Sequence, residues 1–315
     1  MPKVGRSGTL TVSEIPVPSK FKHPDAPYDI LPKHEFTMGI IAPKGSGKTT
    51  LICNLLEFYK GYFHTIYVFS PTVNSDEKWD YIKRQPLLAD NKPLKKFLRD
   101  YKMKKSKING PVQKPSEPIP EIPIINDPEH KHDDEEKFDP HIPDDCFIED
   151  YTPDMLQELM EGQMTMVKFL RRNGMSKHLA NRVLIIFDDL VGSNLYSLSQ
   201  QNPFKKFNTN HRHYSFSAIE ITQAYKEIPK TVRTNFTCGV LFEIPSDKEL
   251  EVIYEEYPLG LKRKEWDEVY NHCTHDDYGF MFYNFQKPRR LRICKNLDKY
   301  IAVADDSKGR DQMVQ

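Results

Sequence analysis

Apolar runs of two different periods alternate along the 315 residues of this chain. Short runs rich in β-branched and aromatic residues, at 37–42, 62–70, 183–187, 214–221, 238–242 and 278–285, read as strands. Helical spacing fills most of the gaps. Lys48–Tyr59 carries Leu51, Leu55 and Phe58 on one face, and Ser75–Lys83 is anchored by Trp79. Thr152–Arg172 repeats Met155, Leu159, Met166, Phe169 and Leu170, a stripe expected to pack in the core, and Gly174 suits its end. The pattern over Leu195–Phe207 begins as a helix and breaks at Pro203. Ser246-Asp247-Lys248-Glu249 is a capping box opening a helix to about Tyr257, and Lys264–His272 follows as another. Strands alternating with helices predict an α/β fold on a mainly parallel central sheet.

Two of these strands end in residues that carry chemistry. The first, Thr37–Ala42, runs into a Gly-containing turn and then a helix, and Ala42–Thr49 matches the phosphate loop G-x-x-x-x-G-K-[ST] with Ala for the first Gly. Gly45 and Gly47 let successive backbone N–H groups point inward at a helix N-terminus, where the helix dipole also favours an anion. Pro43, Lys44, Gly45, Ser46, Gly47, Lys48, Thr49 and Thr50 are the candidate nucleotide-binding residues. Lys48 is placed to reach β- and γ-phosphates, and the Thr49 hydroxyl to take a Mg²⁺ position. The second strand, Val183–Phe187, is five consecutive apolar residues, the pattern of a strand covered on both faces. Asp188 and Asp189 follow at its C-terminal end, where open α/β sheets place their ligands. Asp188 is the candidate metal carboxylate beside Thr49, and Asp189 the candidate that polarises the attacking water. A turn with two solvated acids is the plain alternative.

Composition narrows the setting. Formal net charge is zero, so any contact with nucleic acid depends on local patches. Lys205 and Lys206 between Phe204 and Phe207, and the cluster Arg289, Arg290 and Arg292, are the candidate DNA-binding residues. The five cysteines are scattered and read as reduced thiols. No apolar run approaches the ~18 residues needed to span a bilayer, and no secretory signal is present. Residues 1–33 are polar and punctuated by proline, and read as an extended arm. Lys92–Lys107 carries eight cations against one acid, 111–128 is proline-rich, and 133–150 carries nine acids. These blocks predict a loosely packed, low-complexity insertion over 103–150, inside a phosphate-loop domain spanning 34–302, with a tail at 303–315. His130, His132 and His141 among the acids, and His272, Cys273 and His275 further on, are weak metal signals.

The order APKGSGKTT, YVFSPT with Trp79, IIFDDL, HRHYSFSAIEITQ and IPKTVRTN resembles the poxvirus-type genome-packaging ATPases of the FtsK–HerA superfamily. Similar proteins occur in giant DNA viruses, virophages and Polinton-like elements. The resemblance runs over about Pro32–Pro288, skipping the insertion. It implies a RecA-like sheet with the strand ending in Gln223 between the phosphate-loop strand and the Asp188 strand. Gln223 is then a γ-phosphate sensor, and Arg233 a candidate arginine finger offered to a neighbouring subunit, with Arg212 as the second candidate. The resemblance also implies ATP and Mg²⁺ as cofactors, double-stranded DNA and capsid proteins as partners, a pentameric or hexameric homo-oligomeric ring, and a place in the host cytoplasm or the virion. Two other classes stay open: a small-molecule phosphotransferase, and a nucleotide-binding particle protein without turnover.

Overall fold

A computed structural model describes residues 22–108, 137–190, 192–197 and 202–301. In chain order the strands are β1 (Thr37–Ile41), β2 (Thr65–Phe69), β3 (Phe147–Ile148), β4 (Val183–Asp188), β5 (Phe216–Thr222), β6 (Cys238–Leu241), β7 (Met281–Asn284), β8 (Ile293–Lys295) and β9 (Lys299–Tyr300). The helices are α1 (Lys48–Phe58), α2 (Glu77–Lys83), α3 (Lys92–Ile108), α4 (Pro153–Arg172), α5 (Pro203–Asn210), α6 (Lys230–Arg233), α7 (Asp247–Glu256) and α8 (Arg263–Thr274).

The nine strands form one sheet in the order β3-β2-β4-β5-β1-β6-β7-β8-β9. The first six are parallel, and β7, β8 and β9 add antiparallel strands at one edge. This is the mainly parallel α/β sheet that the alternation of periods predicts. As expected, β5 lies between β1 and β4, with Ile41 beside Thr222 and Phe187 beside Glu220. Strands β1, β4 and β5 are buried at every position; Val183–Phe187 of β4 accordingly reads as an unbroken apolar run, whereas β5 also buries Ser217, Glu220 and Thr222.

Two cores cover the two faces. Met38, Ile40, Leu184, Ile186, Ile219 and Ile221 face α1 and α2, packing with Leu51, Ile52, Leu55 and Trp79. Ile41, Ile185, Phe187, Phe216 and Ala218 face the other way, onto Leu156, Phe204, Phe207, Ile253 and Trp266. This strict alternation fixes register, because a slip of one residue would turn every side chain to the wrong face.

Helix boundaries follow capping chemistry. Thr152 accepts from the Met155 N–H, Pro153 stands where its missing donor is harmless, and Arg171 and Arg172 complement the dipole at the far end. The buried stripe of α4 is Leu156, Met160, Gln163, Val167, Phe169 and Leu170, while Met155 is exposed. Of the expected stripe, Phe169 and Leu170 are buried and Leu159 and Met166 are partly buried against the cores, while Met155 alone faces out. Pro203 also differs from expectation. It does not break a helix that began at Leu195; it starts α5, with the Asn202 side chain accepting from the Phe204 N–H.

The expected boundaries of the insertion also change. Helix α3 carries the basic block on to Ile108, and Phe147–Ile148 joins the sheet as a parallel edge strand on β2. The remainder of that segment, 109–136, with His130 and His132, lies outside the described residues, as do 1–21 of the expected arm and the tail from 302 onward. The described part of the arm is fastened to its own domain. Tyr59 and Tyr62 donate their hydroxyls to the carbonyls of Pro32 and Pro24, and Leu31 is buried. All five cysteines are free. Among the described residues, no helix is long and apolar enough to cross a membrane.

Candidate active site

Parallel order brings the C-terminal ends of β1, β4, β5 and β2 to one rim, and the residues with chemistry stand there. The chain leaves β1 through Ala42 and turns back at 43–47. The Ser46 N–H and hydroxyl both reach the Pro43 carbonyl, at 3.2 and 2.8 Å. Gly45 and Gly47 take φ of 83° and 92°, left-handed values that glycine adopts without a steric penalty. Gly47 stands at the N-cap of α1 with no side-chain cap, leaving the first-turn N–H groups of Lys48, Thr49 and Thr50 directed at the rim. Pro43, Lys44, Gly45 and Ser46 form the outer side of this turn, and Lys44 and Gly45 are exposed.

Asp188 ends β4 and is 2% exposed. Its Oδ2 accepts from the Ser70 hydroxyl at 2.8 Å, while its Oδ1 is buried with no hydrogen-bond partner. Burial pushes the Asp188 carboxyl above its ordinary value, against the opposing pull of the Lys48 ammonium and the Ser70 hydroxyl. An orphaned carboxylate oxygen at this depth is a donor that fits a hard cation. No group of three or more His, Cys, Asp and Glu gathers among the described residues. A Mg²⁺ site of one carboxylate and one hydroxyl, completed by phosphate and water oxygens, needs no such cluster. Ser70 carries no motif signal in the sequence. It follows Phe69, which lies in register with Phe187, so it stands beside Asp188.

Asp189 turns sharply off the strand end, with φ of 52°. Aspartate tolerates this left-handed conformation better than most residues. The turn directs its carboxylate along the rim to Lys48, whose Nζ lies 3.1 Å from Oδ2, and to Gln223, whose Nε2 donates to the same oxygen at 2.7 Å. Lys48, Asp189 and Gln223, from three neighbouring strand ends, therefore meet at one carboxylate oxygen.

Arg233 does not match its expected place. It is 9% exposed, and its guanidinium donates to both Glu256 oxygens through Nε and Nη2 at 2.9–3.2 Å. It also lies 4.8 Å over the Tyr225 ring, and the Tyr225 hydroxyl completes the circuit to Glu256 at 2.6 Å. An arginine finger needs an exposed guanidinium directed outward, so this geometry corrects the expectation: Arg233 fastens the segment after Gln223 onto α7. Arg212 is exposed, in the turn just before β5 and so at the opposite rim from its own phosphate loop.

The candidate DNA contacts are not brought together. Lys205 and Lys206 are exposed on α5, over β4 and β5. Arg289, Arg290 and Arg292 follow β7, with β1 and β6 intervening in the sheet. Arg289 is engaged with the Gly260 carbonyl, and Arg292 stacks 5.0 Å over Phe285. Of these three arginines only Arg290 is exposed, while Arg289 and Arg292 are half-buried.

A second buried carboxylate lies in β5. Glu220, in the middle of β5, is fully buried, and only the Tyr196 hydroxyl approaches it, at 3.4 Å. Its Oε1 has no partner, and burial pushes its carboxyl up to about 8. A lone Glu within FSAIEIT was the available signal.

Among solved structures, the chain is similar to the genome packaging NTPase B204 of Sulfolobus turreted icosahedral virus 2 in complex with AMP. Identity is 11% over 86% of this chain and 98% of that one, at a TM-score of 0.47. The conjugation coupling protein TcpA of pCW3 in its monomer form matches at 10% identity over 87% of this chain and 62% of that one, at a TM-score of 0.44. Similarity this distant carries no argument about function. No curated protein sequence matches. The family described as Poxvirus A32 protein matches residues 25–115 and 136–275. That match takes in the phosphate loop, both aspartates, Gln223 and Arg233, and the chain belongs to the poxvirus A32 protein family.

Proposed function

We propose that this chain is a Mg²⁺-dependent ATPase that drives double-stranded DNA into a viral capsid. Membership of the A32 family supports the reading. The observation that carries it is the meeting of Lys48, Asp189 and Gln223 at one carboxylate oxygen beside the phosphate loop. The ATPase unit in this reading is residues 34–302.

The loop 43–50 binds the phosphate chain through backbone N–H groups, with Lys48 neutralising the β- and γ-phosphates. Thr49 and Asp188 hold Mg²⁺, which when bound offsets charge on the phosphate oxygens. Asp189 then orients and polarises the attacking water. In the described state its carboxylate is neutralised by Lys48 and held by the Gln223 amide. A γ-phosphate competes for both of those donors, because it is the stronger anion at the same rim. Binding therefore frees Asp189 to accept from water while Gln223 turns to the phosphate. That exchange links the nucleotide to β5, and through Tyr225 to the Arg233–Glu256 lock on α7.

A homo-oligomeric ring is part of this reading, in which an arginine from a neighbouring subunit neutralises charge on the transferred phosphoryl group. Arg212, exposed at the far rim, is the arginine proposed to act across a subunit boundary, and Lys205, Lys206 and Arg290 are the proposed DNA contacts. Capsid proteins are the proposed docking partners. The test is hydrolysis with Mg²⁺ and with excess EDTA, together with displacement of a triplex-forming strand from linear duplex DNA. The reading expects both activities to need Mg²⁺ and ATP. Hydrolysis without strand displacement by an assembled ring would remove the translocase part of it.

A further inference from the structure

Tyr278 is 70% exposed, the most exposed large hydrophobic residue among those described. It is also held at φ 61°, a left-handed backbone value unusual for an aromatic residue. One edge of its ring nonetheless has a neighbour. A Cβ built on Gly47 would lie 3.1 Å from Tyr278 Cδ1, so the ring leans over the last glycine of the phosphate loop.

The loop that presents it is firmly built. The Gly279 N–H donates to the Asp276 carbonyl at 2.8 Å, and any side chain at Gly279 would collide with the carbonyls of Cys273 and Asp276. Lys295 pairs with Asp276 at 2.6 Å. Phe280 and Asn296 exchange two hydrogen bonds, 2.9 and 3.1 Å, that fix the start of β7. Register aligns Ile41 with Leu241 and Leu241 with Met281, so this loop emerges at the same rim as the phosphate loop.

We propose that Tyr278 is the platform on which the nucleobase of a bound nucleoside triphosphate stacks. The proposal rests on the nucleotide reading above and names the part of the ligand that the phosphate loop leaves unspecified. Direction decides it. Lys48 and Gln223 meet at Asp189 on the β5–β4 side of β1, and in that reading these two donors take the terminal phosphate. The α-phosphate and nucleoside therefore leave toward β6 and β7, where Tyr278 overhangs. An exposed aromatic face is suited to a base because every base offers a π-face. The contact selects for an aromatic base over none and discriminates weakly between purines.

The experiment measures ATP and inorganic tripolyphosphate binding by calorimetry to the full chain, for wild type, Tyr278→Ala, Tyr278→Phe and Lys48→Ala. Because the ring is exposed, Tyr278→Ala is expected to fold, and its melting curve serves as the control. Tyr278→Ala is expected to bind ATP between about five- and a hundred-fold more weakly, from the worth of one base–aromatic stack, with tripolyphosphate affinity unchanged. Tyr278→Phe keeps the ring and restores ATP binding. In a Tyr278→Trp chain the introduced indole is expected to be quenched by ATP and not by tripolyphosphate; Trp79 and Trp266 are fully buried and give a steady background. Equal ATP affinity in wild type and Tyr278→Ala overturns the proposal, as does an equal loss for both ligands. If wild type and Lys48→Ala bind neither ligand, the nucleotide reading itself fails, a result distinct from either.

Discussion

Arg233 and Glu256 form a two-pronged ion pair in which both partners are about nine-tenths buried, their side chains 11% and 9% exposed. Breaking a buried pair by deleting one partner leaves the other charge without compensation, at a cost of about 3–5 kcal/mol. Arg233→Ala is therefore expected to lower the denaturation midpoint markedly, and Glu256→Ala to do the same. The two losses are expected to be strongly non-additive in the double variant. An Arg233→Ala chain of wild-type stability with no ATPase activity would return Arg233 to the role of a finger.

Asp189→Asn preserves the shape of the rim and its bond from Gln223 but removes the charge that Lys48 meets at 3.1 Å. Nucleotide binding should be retained or strengthened, because the ammonium loses its competitor, while turnover falls by at least about a hundred-fold, the lower range for a lost general base. Equilibrium binding and single-turnover hydrolysis separate the two. Turnover at the wild-type rate would place the water-polarising group elsewhere.

Much of this site is legible in the sequence, and the reasons are local. The phosphate loop declares itself by a strand, a glycine turn and a helix in immediate succession. Strand β4 declares itself by an unbroken apolar run ending in two acids. The burial of Arg233 is not legible, because its partner lies 23 residues on, in a helix whose orientation depends on the whole sheet. Pro203 reads equally as a helix breaker or a helix opener until Asn202 is known to cap it. Tyr278 reads as the first residue of a strand, since nothing nearby in sequence signals that it overhangs Gly47. The role of Ser70 depends on register between β2 and β4, which no local pattern encodes.

Glu220 makes stability depend on pH. Below its ordinary value of 4.5 the carboxyl is protonated in both folded and unfolded chains. Between there and about 8 the unfolded chain releases the proton while the folded chain keeps it, so stability falls as pH rises through this window. Each unit of such a shift is worth about 1.4 kcal/mol, so the effect is on the order of a few kcal/mol. Glu220→Gln should flatten the dependence of Tm between pH 5 and pH 8 and stabilise the protein most at the alkaline end. An identical pH slope in the variant would show that Glu220 ionises freely in the fold.

Lys205 and Lys206 are exposed on α5, whereas Arg289 and Arg292 are packed. Changing both lysines to Gln should weaken duplex DNA binding without altering Tm. It should also reduce the slope of log affinity against log salt by about two, one for each phosphate contact. Arg289→Gln should instead lower Tm, by releasing the Gly260 turn. An unchanged salt slope in the double lysine variant would take α5 out of the DNA interface.

The central claim is that one rim of this sheet hydrolyses ATP in the service of moving DNA. Steady-state ATP hydrolysis by the full chain, with Mg²⁺ and with or without linear duplex DNA, tests it most directly, with Lys48→Ala as the control. The account predicts measurable hydrolysis that duplex DNA stimulates several-fold and that Lys48→Ala abolishes in both conditions. A rate indifferent to DNA, or one that survives Lys48→Ala, would contradict it.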